Sequence, residues 1–97
     1  YERLKIYYKS DDNAYSSVDV YQPDGKYVEL SINHCQGASA SAAGPIWVKG
    51  CMVTISGTSI IVGTYYGNGK IDTTASSSVS IATANVIKIV RVEGVRN

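Results

Sequence analysis

An all-β fold, an antiparallel β-sandwich or jelly-roll-like barrel of about seven to eight short strands, follows from three features of the sequence. Several segments alternate apolar and polar residues with period two, the pattern of half-buried strands. Turn formers recur about every eight to twelve residues, and no segment sustains the 3.6-residue apolar period of a helix.

The first strand is read from Leu4, Ile6 and Tyr8 on one parity and Arg3, Lys5, Tyr7 and Lys9 on the other. It ends at Ser10-Asp-Asp-Asn13, whose short polar side chains bond back to nearby backbone. Residues 15–21 form the second strand, with Val18 and Val20 inward and Asp19 and Tyr21 outward. Pro23-Asp-Gly25 supplies a fixed φ and then a residue that accepts positive φ, so a hairpin is expected here. The returning strand spans 27–32, with Val28, Leu30 and Ile32 alternating against Tyr27, Glu29 and Ser31.

Residues 33–44 carry almost no bulk after His34 and Cys35 and read as a loop; Gly37 and Gly44 weigh against a helix. Strand signals resume at 46–49 and continue through 51–55, with Gly50 expected to mark a bulge or bend. Ser56-Gly-Thr-Ser59 turns the chain into a strand over 60–66, making a second hairpin, and Gly67-Asn-Gly69 is expected to end it. Residues 72–83 are weakly patterned, a loop or an edge strand around Val79 and Ile81.

The final strand opens after Asn85 and carries apolar residues on both parities. Val86, Val90 and Val92 fall on one side and Ile87 and Ile89 on the other. Apolar residues on both faces call for cover on both sides, from this chain or from another copy, so these five are candidate subunit contacts.

A chain of 97 residues fits one domain over 1–97. Surface scaling gives roughly 5,400 Å² folded against about 15,000 Å² unfolded, a modest core. Nine Lys and Arg against eight Asp and Glu leave a formal charge of +1. That is far from the concentrated positive field that nucleic-acid binding demands. The longest apolar runs, such as Ile60-Ile-Val62, are too short for a membrane-spanning helix. The sequence starts at Tyr1 rather than Met, so a processed or excised piece of something longer, or a chain whose start is not included, is expected.

Chemistry is sparse. Cys35 and Cys51 enclose fifteen residues. Reduced thiols are the favoured state and a bridge, worth about 3 kcal/mol by chain-entropy reasoning, is the alternative. His34 and Cys35 are adjacent and point to opposite faces of a strand, so they make no nucleophile–base pair. Zinc would need His34, Cys35 and Cys51 to converge without C-x-x-C spacing, and no metal is expected. Asp11, Asp12 and Asn13 lack the spaced ligands of a calcium loop and read as a turn. Asp19, Asp24, Glu29, Asp72 and Glu93 show no paired-carboxylate motif, no serine lies in Gly-x-Ser-x-Gly, and Gly63, Gly67 and Gly69 open no phosphate-cradling helix. No catalytic residue and no cofactor are assigned.

Eight Tyr and one Trp stand without a single Phe. An apolar ring with a polar tip suits a surface that stays partly wet, such as a saccharide platform or a protein interface. The plainer role is a strand former on a solvated face. Trp47, Tyr65 and Tyr66 are the candidate ligand-binding group.

Three stretches, Tyr1-Glu-Arg-Leu-Lys-Ile-Tyr-Tyr8, Tyr15-Ser-Ser-Val-Asp-Val-Tyr21 with Pro23-Asp-Gly-Lys26, and Val86-Ile-Lys-Ile-Val-Arg-Val-Glu-Gly94, resemble the C-terminal domain of tail and fibre proteins from phages of Gram-positive bacteria. The resemblance implies a β-rich terminal module of a longer virion protein, homotrimeric and made in the bacterial cytoplasm. It implies contact with other virion proteins and with host-surface saccharide. A capsid decoration or fibre-trimerisation module with no ligand is the alternative, and a hydrolase would need a cleft of converging carboxylates.

Overall fold

The computed structural model describes residues 2–35, 45–71, 78–82 and 86–96, with the backbone alone described at 64, 65 and 78–82. Seven strands follow one another: β1 (Arg3–Ser10), β2 (Tyr15–Tyr21), β3 (Tyr27–Cys35), β4 (Ile46–Ser56), β5 (Ser59–Ile71), β6 (Ser78–Ala82) and β7 (Ile87–Val95). They form two antiparallel sheets, β2-β1-β7 and β3-β4-β5-β6. The chain is therefore all-β, a small antiparallel sandwich. Its 46 × 27 × 16 Å envelope is one sandwich thick.

Alternation in the sequence becomes burial in the fold. Ile6, Tyr8 and Val20 of the three-stranded sheet face Val28, Leu30, Ile32, Cys51, Val53 and Ile55 of the four-stranded sheet in one core. Tyr8 is 4% exposed, so its hydroxyl needs a partner. It donates to the Ser31 carbonyl at 2.9 Å and accepts from the Ser31 N–H at 3.3 Å, tying β1 to the edge strand β3.

The turns behave in two ways. Ser10-Asp-Asp-Asn13 closes the β1–β2 hairpin as expected: Asn13 takes φ 63° and Ser10 Oγ accepts the Ala14 N–H at 3.1 Å. Gly57, at φ 57°, closes the β4–β5 hairpin, and its N–H donates to Asp24 Oδ1 at 2.7 Å. Pro23-Asp-Gly25 does not close a hairpin, because β2 and β3 lie in different sheets. Gln22 at φ 47° and Gly25 at φ 80° instead carry the chain across the sandwich. The crossing is anchored to the end of β4, where Gly25 N–H donates to the Ile55 carbonyl at 2.8 Å.

The longer strands also differ from expectation. β3 continues through Asn33, His34 and Cys35, and β5 runs through Gly67-Asn68-Gly69 to Ile71. Both glycines stay in register, Gly67 with Gly50 and Gly69 with Val48. Gly50 is likewise an ordinary ladder position; the irregularity falls after Cys51, where Met52 alone opposes residues 63–65. Gly63 permits it, since a Cβ there would sit 2.9 Å from the Met52 carbonyl oxygen. The weakly patterned stretch contains the edge strand β6. The small-residue stretch at 36–44, and residues 72–77 and 83–85, lie outside the described residues.

A bulge in β7 accounts for its two-sided apolar pattern. Tyr7 pairs with Arg91 and Tyr8 with Ile89, leaving Val90 as an extra residue. The alternation is reset there. Ile87 and Ile89 before the bulge and Val92 after it stand opposite Ser10, Ile6 and Tyr8 on the core-facing side of β1: Ile87 at Ser10, Ile89 at Tyr8, Val92 at Ile6. The expected split of Val86, Val90 and Val92 from Ile87 and Ile89 is thus corrected: Val92 joins the side of Ile87 and Ile89, Val86 is buried ahead of the strand, and Val90 is left exposed.

Candidate functional site

At one end of the sandwich the four-stranded sheet gathers polar side chains on its core-facing parity. Trp47 and Lys49 share that parity of β4 with the buried Cys51, Val53 and Ile55. Register sets His34 of β3 and Lys70 of β5 on either side of Trp47, and Asn68 beside Lys49. The β1–β2 turn of the other sheet adds Asp11 and Asp12.

Lys49 is the anomaly, a charged residue 6% exposed. A buried ammonium must be paired, and Lys49 Nζ lies 2.5 Å from Asp11 Oδ1 and 3.3 Å from Asp12 Oδ2. Burial alone would push this ammonium down, but the hydrogen bonds and charges of Asp11 and Asp12 outweigh it and raise it above its ordinary value. Asp12 is held below the usual carboxylate range. The Ser10 hydroxyl, which donates to Asp12 Oδ1, is the main cause, opposed by desolvation and aided by Lys49 and His34. His34 Nε2 lies 3.7 Å from Asp12 Oδ2. The cluster ties the two sheets together.

Trp47 is half-buried beside this cluster. Its ring has the Lys49 ammonium 5.5 Å and the Lys70 ammonium 6.0 Å from its centroid. Cations at these distances hold a ring in place through its quadrupole. The result is a fixed aromatic surface next to hydrogen-bonding and charged groups. Both carboxylates of the cluster pair with Lys49.

The other candidate residues are placed differently. Tyr66 pairs with Cys51 and is 6% exposed within the core, so it is not a platform for a ligand. The side chain of Tyr65 lies outside the described residues. Val86 and Ile87 are buried in the chain's own core and are not available to a second subunit. Ile89 packs against that core, while Val90 and Val92 are 52% and 41% exposed.

Cys35 and Cys51 are both free thiols, one exposed and one buried on opposite faces of the four-stranded sheet. His34 and Cys51 share the core-facing parity in separate rows, beside Trp47 and beside Leu30, and Cys35 turns to the other face. Among the described residues no group of three or more His, Cys, Asp or Glu is placed to hold a metal ion.

Sequence reasoning missed the Asp11–Asp12–Lys49–His34 cluster. The readable sign was Lys49 itself, a charge on the apolar parity of a strand. Its partners, 38 residues away at Asp11, had no local signature.

The fold is a small antiparallel β-sandwich, with an aromatic ring and an ionic cluster gathered at one end of it. Comparison of the chain with protein-family models, curated proteins and solved structures returns no match. Among the described residues no helix is long and apolar enough to cross a membrane.

Proposed function

We propose that the chain is a non-enzymatic structural and binding module of a phage fibre or tail protein, homotrimeric on the virion, which contacts host-surface saccharide through Trp47. The observation that carries this reading is the half-buried Trp47 ring, held by Lys49 and Lys70 beside His34 and Asp12. An apolar ring face stacks on the C–H face of a sugar, and neighbouring charged and polar groups bond its hydroxyls. The strand patterns at both ends of the sequence, quoted above, supply the virion context.

Adsorption of the purified protein to Gram-positive cells tests it. Trp47→Ala is expected to lose binding while keeping wild-type unfolding behaviour, and Trp47→Phe to keep part of it. Normal adsorption by Trp47→Ala would remove Trp47 from the site.

A specific observation favours the second reading, a decoration or trimerisation module with no ligand. The outward face of the four-stranded sheet exposes Ile46, Val48, Met52 and Ile71 around a groove of about 370 Å³ floored by Gly50 and Gly67. Exposed contiguous apolar surface is the mark of an assembly contact. Native mass in solution separates the two: a trimer with no affinity for cell-wall saccharide supports the second reading.

A further inference from the structure

We infer that the outward face of the three-stranded sheet is a binding surface for an extended acidic polysaccharide. The inference deepens the proposed saccharide-binding function and rests on it for the class of polymer, but its residues are separate from Trp47.

Leu4, Ile6, Tyr8 and Ser10 turn into the sandwich, so Arg3, Lys5, Tyr7 and Lys9 of the central strand β1 turn outward. Register completes four cross-strand rows. They read Tyr21–Arg3–Val95, Asp19–Lys5–Glu93, Ser17–Tyr7–Arg91 and Tyr15–Lys9–Lys88. Five cations and two carboxylates share this face, a surplus of +3 on a chain whose total is +1. Positive charge is therefore segregated here. At about 3.4 Å per residue the rows span about 20 Å from Arg3 to Lys9, and three strands make the face about 10 Å wide. Neighbouring cations thus fall within a Debye length of about 10 Å at 0.1 M salt and act together on one polymer.

The cations are held in position. Arg3 lies 5.8 Å from the Tyr21 ring centroid and Lys9 lies 6.0 Å from that of Tyr15. The Tyr7 ring has Lys5 at 5.4 Å and Arg91 at 5.8 Å. Pre-placed cations lose less side-chain freedom when an anion binds.

The same contacts select the kind of polyanion. Nucleobases would need open ring faces to stack on, and here each outward tyrosine already carries a cation of this chain. Asp19 and Glu93 flank Lys5, and Glu93 also pairs with Arg91 and accepts from the Tyr7 hydroxyl at 3.4 Å. Carboxylates in the middle of the face repel any anion, so the face suits a polymer that also brings neutral donors there: sugar hydroxyls donate to them, and a deoxyribose phosphodiester chain has none to offer along its length. A polymer carrying both carboxylates and hydroxyls matches this pattern of charge.

The test is equilibrium binding of the purified full chain to polygalacturonate, to dextran and to a single-stranded oligothymidylate, at 50 and 200 mM NaCl. Wild type is expected to prefer polygalacturonate and to weaken severalfold at the higher salt. Lys9→Gln/Lys88→Gln is expected to weaken it about tenfold at low salt and to flatten the salt dependence, with Lys9→Arg/Lys88→Arg restoring both. Unchanged affinity in the Gln variant, equal binding of dextran, or tighter binding of oligothymidylate each overturns the inference. If Trp47→Ala abolishes saccharide binding while the Gln variant binds normally, the Trp47 site stands and this surface falls. Polygalacturonate binding that depends on Lys9 and Lys88 supports the surface whatever Trp47→Ala does, and adsorption to cells that survives Trp47→Ala bears on the Trp47 site alone.

Discussion

Lys49 offers the sharpest perturbation, because its charge and its partners contribute in opposite senses. Its side chain is 7% exposed, whereas those of Asp11 and Asp12 are 46% and 31% exposed. Neutralising both carboxylates by Asp11→Asn/Asp12→Asn strands an ammonium between the sheets while retaining turn-forming side chains. Removing one side of a fully buried pair costs about 3–5 kcal/mol; discounted for the partial exposure of the carboxylates, the expected loss is about 2 kcal/mol. For a domain of this size that lowers Tm by about 8–16 °C. Lys49→Met removes the buried charge, keeps the stem's volume and leaves the two carboxylates to water, so it is expected to stay within about 1 kcal/mol of wild type. Adding Lys49→Met to the double Asn variant should then recover most of the loss, as a coupled cluster requires. Urea and thermal unfolding at pH 7 read all three. Destabilisation by Lys49→Met as large as that of the Asn pair would refute the reasoning, as would a double Asn variant as stable as wild type.

Three further outcomes are expected. Gly63→Ala should lose about 1–3 kcal/mol in urea unfolding, since its Cβ would press on backbone at Met52, while Gly67→Ala, whose Cβ has 3.9 Å to the nearest atom, should lose less. Because Asp12 is depressed in the fold, its contribution is full above the unfolded value near pH 4 and is lost as pH falls through the lower folded value; Lys49 is raised, so its contribution is full below about pH 10 and is lost at higher alkaline pH. Unfolding midpoints from pH 2 to 11 should therefore fall at both extremes, with Asp12→Asn flattening the acid limb. In a thiol-labelling assay on native protein, Cys35 should react promptly and Cys51 only on unfolding, because burial both shields the Cys51 thiol and raises its pKa.

Alternation made most of the strands legible, because period two is written directly in segments such as Arg3–Ser10 and Tyr27–Cys35. Connectivity between sheets was less so. Pro23-Asp-Gly25 has the chemistry of a hairpin turn, and only the packing of Val18 and Val20 across from the second sheet, instead of alongside it, makes it a crossing. Val90 shows the same limit. A bulge residue has no distinctive side chain, so the reset of parity in β7 looked like two apolar faces and thus like an oligomer contact. At the candidate site the aromatics are visible in the sequence and their setting is not: residue type does not separate a displayed tyrosine from a core one, and the register of β4 and β5 puts Tyr66 in the core. A net charge of +1 also concealed a face with a surplus of three cations, since composition averages over a surface that the sheet divides.

Trp47 is the chain's single tryptophan, so its intrinsic fluorescence reports on the proposed saccharide contact without a label. Titration with polysaccharide purified from Gram-positive cell walls is expected to give a saturable blue shift and reduced quenching by iodide as the ring is covered. A spectrum and quenching constant that stay fixed through saturating polysaccharide would contradict the assignment of Trp47 to a host-surface contact.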